Sequence, residues 1–377
     1  MKNKWFGVIF IIVGLLLTKV ALSETVAEYT AVMPSISYIN TGNDDARSLN
    51  SSLYISEDEI WYSGYATPSG SWLIHTNSKG EIASRTLFPD APGKDPIIHC
   101  IGKVENTLMI GFIDAETQAG TIGLMPCAGG KISYIMLQNN EKTMTMTRTS
   151  NGIFSLGVVY DQKQNTSTLF ASHVVSTGQF DLQQAVYTTD MTVDGFVLSS
   201  SKGCVADDKY YVQVNSGIAG RVRPQRELFC LDKDGFTQWK IMLPENAVFD
   251  QLAASDGNVY LFGMTGNVDD DIILSNRRAT IVCYRDNGTK SWEKVFDSPE
   301  RFYFGTSCND ACIAASGIEG TGTWNACSLT ADGNVRYMVS VEFVNDMHIR
   351  GVFETTDGYL KVLGTTESQL FMFQIKN

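Results

Sequence analysis

The sequence predicts an all-β fold, a seven-bladed β-propeller of four-stranded antiparallel blades whose ring is closed by the N-terminal strand. Three observations carry that expectation. Two markers alternate along the chain at near-constant spacing, the second has one copy fewer than the first, and an unassigned strand-like segment near the N-terminus supplies the deficit.

The first marker is a short apolar run ending in glycine, as in Trp61-Tyr62-Ser63-Gly64, Leu108-Met109-Ile110-Gly111 and Tyr260-Leu261-Phe262-Gly263. Its end positions, Gly64, Gly111, Gly157, Gly217, Gly263, Gly317 and Gly364, are spaced by 47, 46, 60, 46, 54 and 47 residues, which counts seven units. The second marker is a hairpin, clearest from Ile281 to Phe296. There Val282 and Tyr284 share one side of an alternating run, Asn287-Gly288 matches a type I′ turn, and Trp292 and Phe296 are large apolar residues set between charged ones. Its turn glycines are Gly80, Gly130, Gly178, Gly235, Gly288 and Gly333, and so only six hairpins exist. After Gly364 there is room for a third strand, Leu370 to Ile375, but not for a fourth. A bare sheet edge invites aggregation, so the segment from Tyr29 to Tyr38 is expected to add itself there as the outer strand. The alternative architecture is a pair of β-sandwich domains split near residue 190.

Residues 1–23 read as a signal peptide. Lys2 and Lys4 precede an uncharged apolar run from Trp5 to Leu17, and Ala21-Leu22-Ser23 places small residues at a cleavage site. The run is too short to span a bilayer, so the mature chain is expected to be residues 24–377, a single propeller domain without a membrane span. The expected localisation is secreted or extracytoplasmic, in a periplasm or at a cell surface. The formal net charge of -12 argues against nucleic acid as a partner, because phosphate backbones need a basic footprint.

Leu231-Asp232-Lys233-Asp234-Gly235-Phe236-Thr237-Gln238-Trp239 and Tyr284-Arg285-Asp286-Asn287-Gly288-Thr289-Lys290-Ser291-Trp292 resemble the repeats of PQQ-like, quinoprotein-like bacterial β-propellers. In those repeats an acidic turn with glycine is followed by a tryptophan. The resemblance implies a fold rather than an activity. Quinoprotein dehydrogenases of that superfamily typically carry eight blades and an adjacent cysteine pair. This chain has neither, so no PQQ and no other cofactor is expected.

Eight cysteines in an exported chain invite a disulfide reading. The expected register puts Cys100, Cys204 and Cys308 on first strands, Cys312 on a second, and Cys127, Cys230, Cys283 and Cys327 on third strands. First and third strands lie ~9.6 Å apart, beyond the reach of a bridge. Two options remain open, Cys308 with Cys312 or Cys312 with Cys327, and the alternative is that the thiols are small buried hydrophobes. No metal site is expected, because the Cys-x-x-Cys pairs and His-rich partners of a zinc site are missing. Asp269-Asp270-Asp271 lacks the ligand spacing of a calcium loop and reads as a solvated loop tip.

Propellers bind ligands where the loops entering the first strands converge on the central channel. The candidates expected there are Asp95, His99, Arg148, Asp250, Arg301, Tyr303, Asp346, His348 and Arg350. They form a polar set suited to a glycan, a peptide or a protein partner. No nucleophile, P-loop or dinucleotide motif accompanies them, and no catalytic residue is assigned. The reading is an exported non-catalytic binding or scaffolding propeller, acting as a monomer. The alternative is an extracytoplasmic carbohydrate-active hydrolase or lyase, which would need paired carboxylates across the mouth.

Overall fold

A computed structural model describes residues 30–376, apart from short segments at 33–34, 40–48, 57, 67–69, 78, 138–140, 191–194, 218–224, 269–273, 297–301, 309–310, 318–322, 343–347, 355–358 and 366–369. In some strands only the backbone is described. Two short strands come first, β1 (Thr30–Val32) and β2 (Ser35–Ile39). Sheet I is β3 (Leu49–Ser56), β4 (Glu59–Ala66), β5 (Gly70–Thr76) and β6 (Ile82–Leu87). Sheet II is β7 (Pro96–Val104), β8 (Thr107–Asp114), β9 (Gly120–Pro126) and β10 (Ser133–Met136). Sheet III is β11 (Glu141–Arg148), β12 (Gly152–Asp161), β13 (Thr166–Val175) and β14 (Phe180–Asp190). Sheet IV is β15 (Gly195–Ala206), β16 (Lys209–Gly217), β17 (Gln225–Asp232) and β18 (Thr237–Met242). Sheet V is β19 (Ala247–Ser255), β20 (Asn258–Val268), β21 (Leu274–Arg285) and β22 (Lys290–Val295). Sheet VI is β23 (Phe302–Cys308), β24 (Ala311–Gly317), β25 (Thr323–Thr330) and β26 (Val335–Glu342). Sheet VII is β27 (His348–Glu354), β28 (Tyr359–Thr365) and β29 (Leu370–Lys376).

Each sheet is an antiparallel meander in chain order. The N-terminal segment divides between two of them. β2 runs antiparallel to β29, with Ser35 opposite Gln374, and gives sheet VII a fourth strand. β1 runs parallel to β26, with Thr30 opposite Val339, and makes sheet VI five-stranded. First strands touch in succession, β3 to β7, β11, β15, β19, β23 and β27, and β27 touches β3. This is a β-propeller of four-stranded antiparallel blades. The sandwich alternative fails at its proposed split, because β11 and β15 pack together across residue 190.

The core lies between sheets rather than within any one of them. Leu53, Trp61 and Leu73 of sheet I meet Ile98, Leu108, Ile110 and Phe112 of sheet II in one cluster. Ile60, Tyr62, Trp72 and Ile74, on the other face of sheet I, meet Leu363, Leu370 and Met372 of sheet VII. Strand alternation therefore gives sheet I two buried faces, and each fully buried side chain contributes ~1.5–3 kcal/mol.

The turn glycines Gly80, Gly178, Gly235, Gly288 and Gly333 all have φ between 81° and 86°. The expected type I′ turn is corrected, however. The Gly288 amide donates to the Arg285 carbonyl at 2.9 Å, Asn287 is not left-handed, and the ladder slips between Cys283 and Tyr284. This is a type I turn followed by a left-handed glycine, the three-residue alternative to the two-residue I′ loop. The tryptophans explain why glycine is needed at two of these turns. The Trp292 indole donates to Ala331 O at 2.6 Å, and a Cβ at Gly333 would lie 2.8 Å from its ring. Trp239 repeats the contact one sheet earlier, donating to Asp286 O at 2.6 Å and lying against Gly288. Each indole clamps its sheet to the turn of the next.

Candidate functional site

The first strands are irregular, and always at the same place. Their ladders skip Asn50 in β3, His99 in β7, Met144 in β11, Asp250 in β19, Tyr303 in β23 and Arg350 in β27, and in β15 the skip spans residues 198–201. A β-bulge leaves its extra residue unpaired and re-aims it, and here the bulges form a ring around the axis. Four expected site residues, His99, Asp250, Tyr303 and Arg350, are bulge residues. The marker glycines are the counterpart on the second strands. Gly64, Gly111, Gly157, Gly263 and Gly364 lie opposite or next to the bulges. A Cβ at Gly263 would collide with the Val248 carbonyl, and one at Gly111 would lie 2.9 Å from Cys100 Sγ.

Inside the ring is a channel of about 730 Å³, to which all seven first strands contribute wall residues. Its described wall is polar. Ser51, Ser52, Thr143, Thr145, Thr147, Gln251 and Thr306 line it beside His99, Arg148 and Lys202. His99 keeps an exposed ring in the lumen, and partial desolvation by the surrounding wall, assisted by the charge of Lys202, lowers its pKa to about 4. It is therefore neutral at pH 7. Burial lowers the Arg148 pKa as well, although arginine keeps its charge at any ordinary pH.

The expected residues do not share one mouth. Asp95 precedes β7 and His99 is its fourth residue, whereas Arg148 ends β11, so Arg148 stands at the far end of the channel. There it also borders a second cavity of about 400 Å³ with Lys103, Glu105 and Thr149. The sequence reading misplaced it because Ser150-Asn151-Gly152, which follows Arg148, resembles the entry to a strand. Asp250 lies outside the described channel wall, close enough to Arg226 for its charge to oppose the burial that lowers the arginine pKa. His348 is the first residue of β27, and its side chain, with those of Tyr303 and Arg350, lies outside the described residues. Arg301 and Asp346 lie outside them altogether, as does Asp269-Asp270-Asp271.

The loop holding Asp95 is fixed by a residue the sequence did not single out. Asp114 Oδ2 accepts from the amides of Lys94 (2.6 Å) and Asp95 (2.9 Å), while Oδ1 accepts from the Thr117 amide (2.6 Å) and hydroxyl (2.8 Å). Burial alone would raise this carboxyl, but the donors from Asp95, Thr117 and Lys94 outweigh it and hold the pKa at about 2. Nearby, Glu141 is buried with no hydrogen-bond partner on either oxygen among the described residues, and burial pushes it up to about 7. At the far end His173 is buried between Asp181, whose Oδ1 is 2.6 Å from Nδ1, and Thr149, whose Oγ1 is 2.8 Å from Nε2. Thr149 Oγ1 also donates to Asn151 Oδ1 at 3.0 Å, so this group ties the β11–β12 turn to β13 and β14.

The strand register locates the backbones of the cysteines considered for a disulfide. Cys308 lies opposite Ala311 and Cys312 opposite Ser307, so the pair is one position out of register on neighbouring strands. Cys312 lies opposite Leu329, whereas Cys327 lies opposite Ala314. That offset of two residues separates the Cα atoms by ~8 Å, beyond the ~7 Å limit for a bridge. The side chains of Cys308 and Cys312 are outside the described residues. Cys100, Cys127, Cys204, Cys230 and Cys283 are thiols, and burial pushes Cys230 up to about 11 and Cys283 up to about 12, far from reactive thiolates. Among the described residues no cluster of His, Cys, Asp and Glu suits a metal ion, and no helix is long and apolar enough to cross a membrane.

No protein-family model matches the chain, and no curated protein matches it in sequence. Solved structures do. The β-propeller domain of the Trilobed protease from Pyrococcus furiosus aligns with TM-score 0.53 and 10% identity, over 89% of this chain and 96% of that one. The shared property is the propeller fold. Extracellular domains 1-2 of Drosophila Semaphorin 1b align with TM-score 0.55 and 8% identity, over 92% of this chain and 88% of that one. An acylaminoacyl peptidase in complex with Z-Gly-Gly-Phe-chloromethyl ketone aligns with TM-score 0.54 and 12% identity, over 88% of this chain but 52% of that one. At these identities the likeness concerns architecture alone.

Proposed function

We propose that the chain is an exported, non-catalytic binding propeller, a single ring of seven blades closed by β2, which seats a ligand or a segment of a partner in its central channel. The observation that carries this reading is the ring of bulges. Seven first strands break their ladders at one level and surround a polar cavity large enough for a small ligand or a few residues of a peptide or glycan. Seven sheets, the contact of β27 with β3, and the pairing of β2 with β29 support the closed ring. The Trp239 and Trp292 clamps support kinship with PQQ-like repeats at the level of blade rhythm. Among the described residues no carboxylate lines the channel, which favours binding over a glycosidase reaction.

Two measurements test the reading. Glycan and peptide arrays are probed with the mature chain and with a Thr306→Trp variant, whose indole fills the lumen. Ligands held in the channel are lost in the variant, whereas a binding pattern identical in both proteins places recognition elsewhere. Export is read from the N-terminus of the protein recovered from its native cells. Processing to Glu24 is the expected result, and retention of Met1 contradicts it.

A further inference from the structure

A chain with 41 acidic and 29 basic residues is expected to line its cavities with carboxylates at least as often as with cations. The channel does the opposite. Among the described residues its wall holds Lys202 and Arg148 and no aspartate or glutamate. Neither cation has an ionic partner among the described residues. The ion pairs of the described residues join Lys94 to Glu116, Lys103 to Glu59, Lys209 to Asp286 and Lys240 to Glu227, among others, and leave both channel cations out. Cations lining a channel without a carboxylate leave their charge available to a ligand in the lumen. Narrow low-dielectric walls also concentrate their field in the lumen.

The two charges stand at different depths. Gly203, next to Lys202, lies against both Thr145 and Thr147, at 3.7 and 3.8 Å from where its Cβ would be. The Lys202 backbone is thus level with that of Thr145, and the Arg148 backbone lies three residues further along β11, a rise of about 10 Å along the strand. Between them the lumen offers hydroxyls and backbone. His99 is uncharged at neutral pH and adds a hydrogen-bonding group beside Lys202.

We propose that the channel ligand is an extended anion, with two negative groups about 10 Å apart, one held by Lys202 and the other by the Arg148 guanidinium. This rests on the binding reading above and specifies the chemistry of its ligand. The planar fork of Arg148 suits a carboxylate or a phosphate, and the spacing excludes compact anions as full ligands.

The test is calorimetric titration of the full mature chain at low salt with suberate, a linear dicarboxylate of matching span. Succinate, inorganic phosphate and the neutral diol of suberate's length serve as comparisons. Suberate is expected to bind about tenfold tighter than succinate or phosphate, with the diol silent and the affinity falling as salt rises. Lys202→Gln and Arg148→Gln should each lower suberate affinity about tenfold while Arg148→Lys retains part of it. Equal binding of suberate to wild type and the double Gln variant overturns the proposal, as does an absence of suberate binding at millimolar concentration. If suberate fails while Thr306→Trp still abolishes an array ligand, the anion assignment falls and the channel reading stands. If neither substitution affects any ligand, both fall.

Discussion

The inner strands and the outer hairpins of this propeller obey different rules. Four outer hairpins, those closed at Gly178, Gly235, Gly288 and Gly333, use one turn, one left-handed glycine and one slip of register. In at least two places the turn is then clamped by an indole from the preceding sheet. The inner strands break their ladders at one level, around a channel with a largely polar described wall. Regularity outside stabilises the ring, and shared irregularity inside creates a cavity. Substitutions should therefore separate into those that cost stability and those that change the cavity.

The largest expected loss lies where the two rules meet. Gly263→Val drives a side chain into the Val248 carbonyl and the Phe249 backbone, which no rotamer relieves. It should cost roughly 4 kcal/mol or more, measured by urea unfolding. Next is Trp292→Ala, which removes the clamp and its hydrogen bond to Ala331 O. A loss of ~3 kcal/mol is expected, with suberate affinity within twofold of wild type.

Asp114→Asn should cost ~2 kcal/mol at pH 7, since it removes a carboxylate that accepts several donors. Its folded pKa, about 2, lies below the unfolded value of 3.8. The stabilisation is thus complete above the unfolded pKa and disappears as pH falls toward 2, and the gap between variant and wild type should close over that window. Glu141→Gln is the smallest effect and has the opposite sign. The folded pKa of Glu141, about 7, lies above its unfolded value of 4.5, so burial imposes a penalty that grows as pH rises from 4.5 and is complete above 7. The variant should be ~1 kcal/mol more stable than wild type at pH 8 and no more stable at pH 4, the gain being limited because the amide is also buried without partners.

The outer rule was legible in the sequence because it is local. A turn glycine announces each hairpin, following Asp or Asn at Gly235, Gly288 and Gly333, and only the turn type was misread. The inner rule was half legible. The marker glycines were visible, but their cause was not, since a bulge is a relation between two strands and leaves no signature on either alone. His99 and Asp250 were found because they are polar residues at strand entries. Lys202 was missed, although it stands at a near-constant distance before the end of its second strand, because the fourth unit is long and its marker is degraded. Arg148 was found but placed at the wrong end, because the Ser150-Asn151-Gly152 turn that follows it was read as the entry to a first strand. Glu141 and Asp114 had no sequence signal, as burial and convergent amides are properties of the assembled fold.

The most direct measurement of this division is a paired one on the Lys202→Gln/Arg148→Gln double variant, its thermal midpoint beside its affinity for suberate. Neither side chain has an ionic partner to lose among the described residues. The midpoint should stay close to that of wild type, because no ion pair is removed, while the affinity falls about a hundredfold. A midpoint that drops in step with the affinity would show that the inner cations hold the ring together, and would contradict the account.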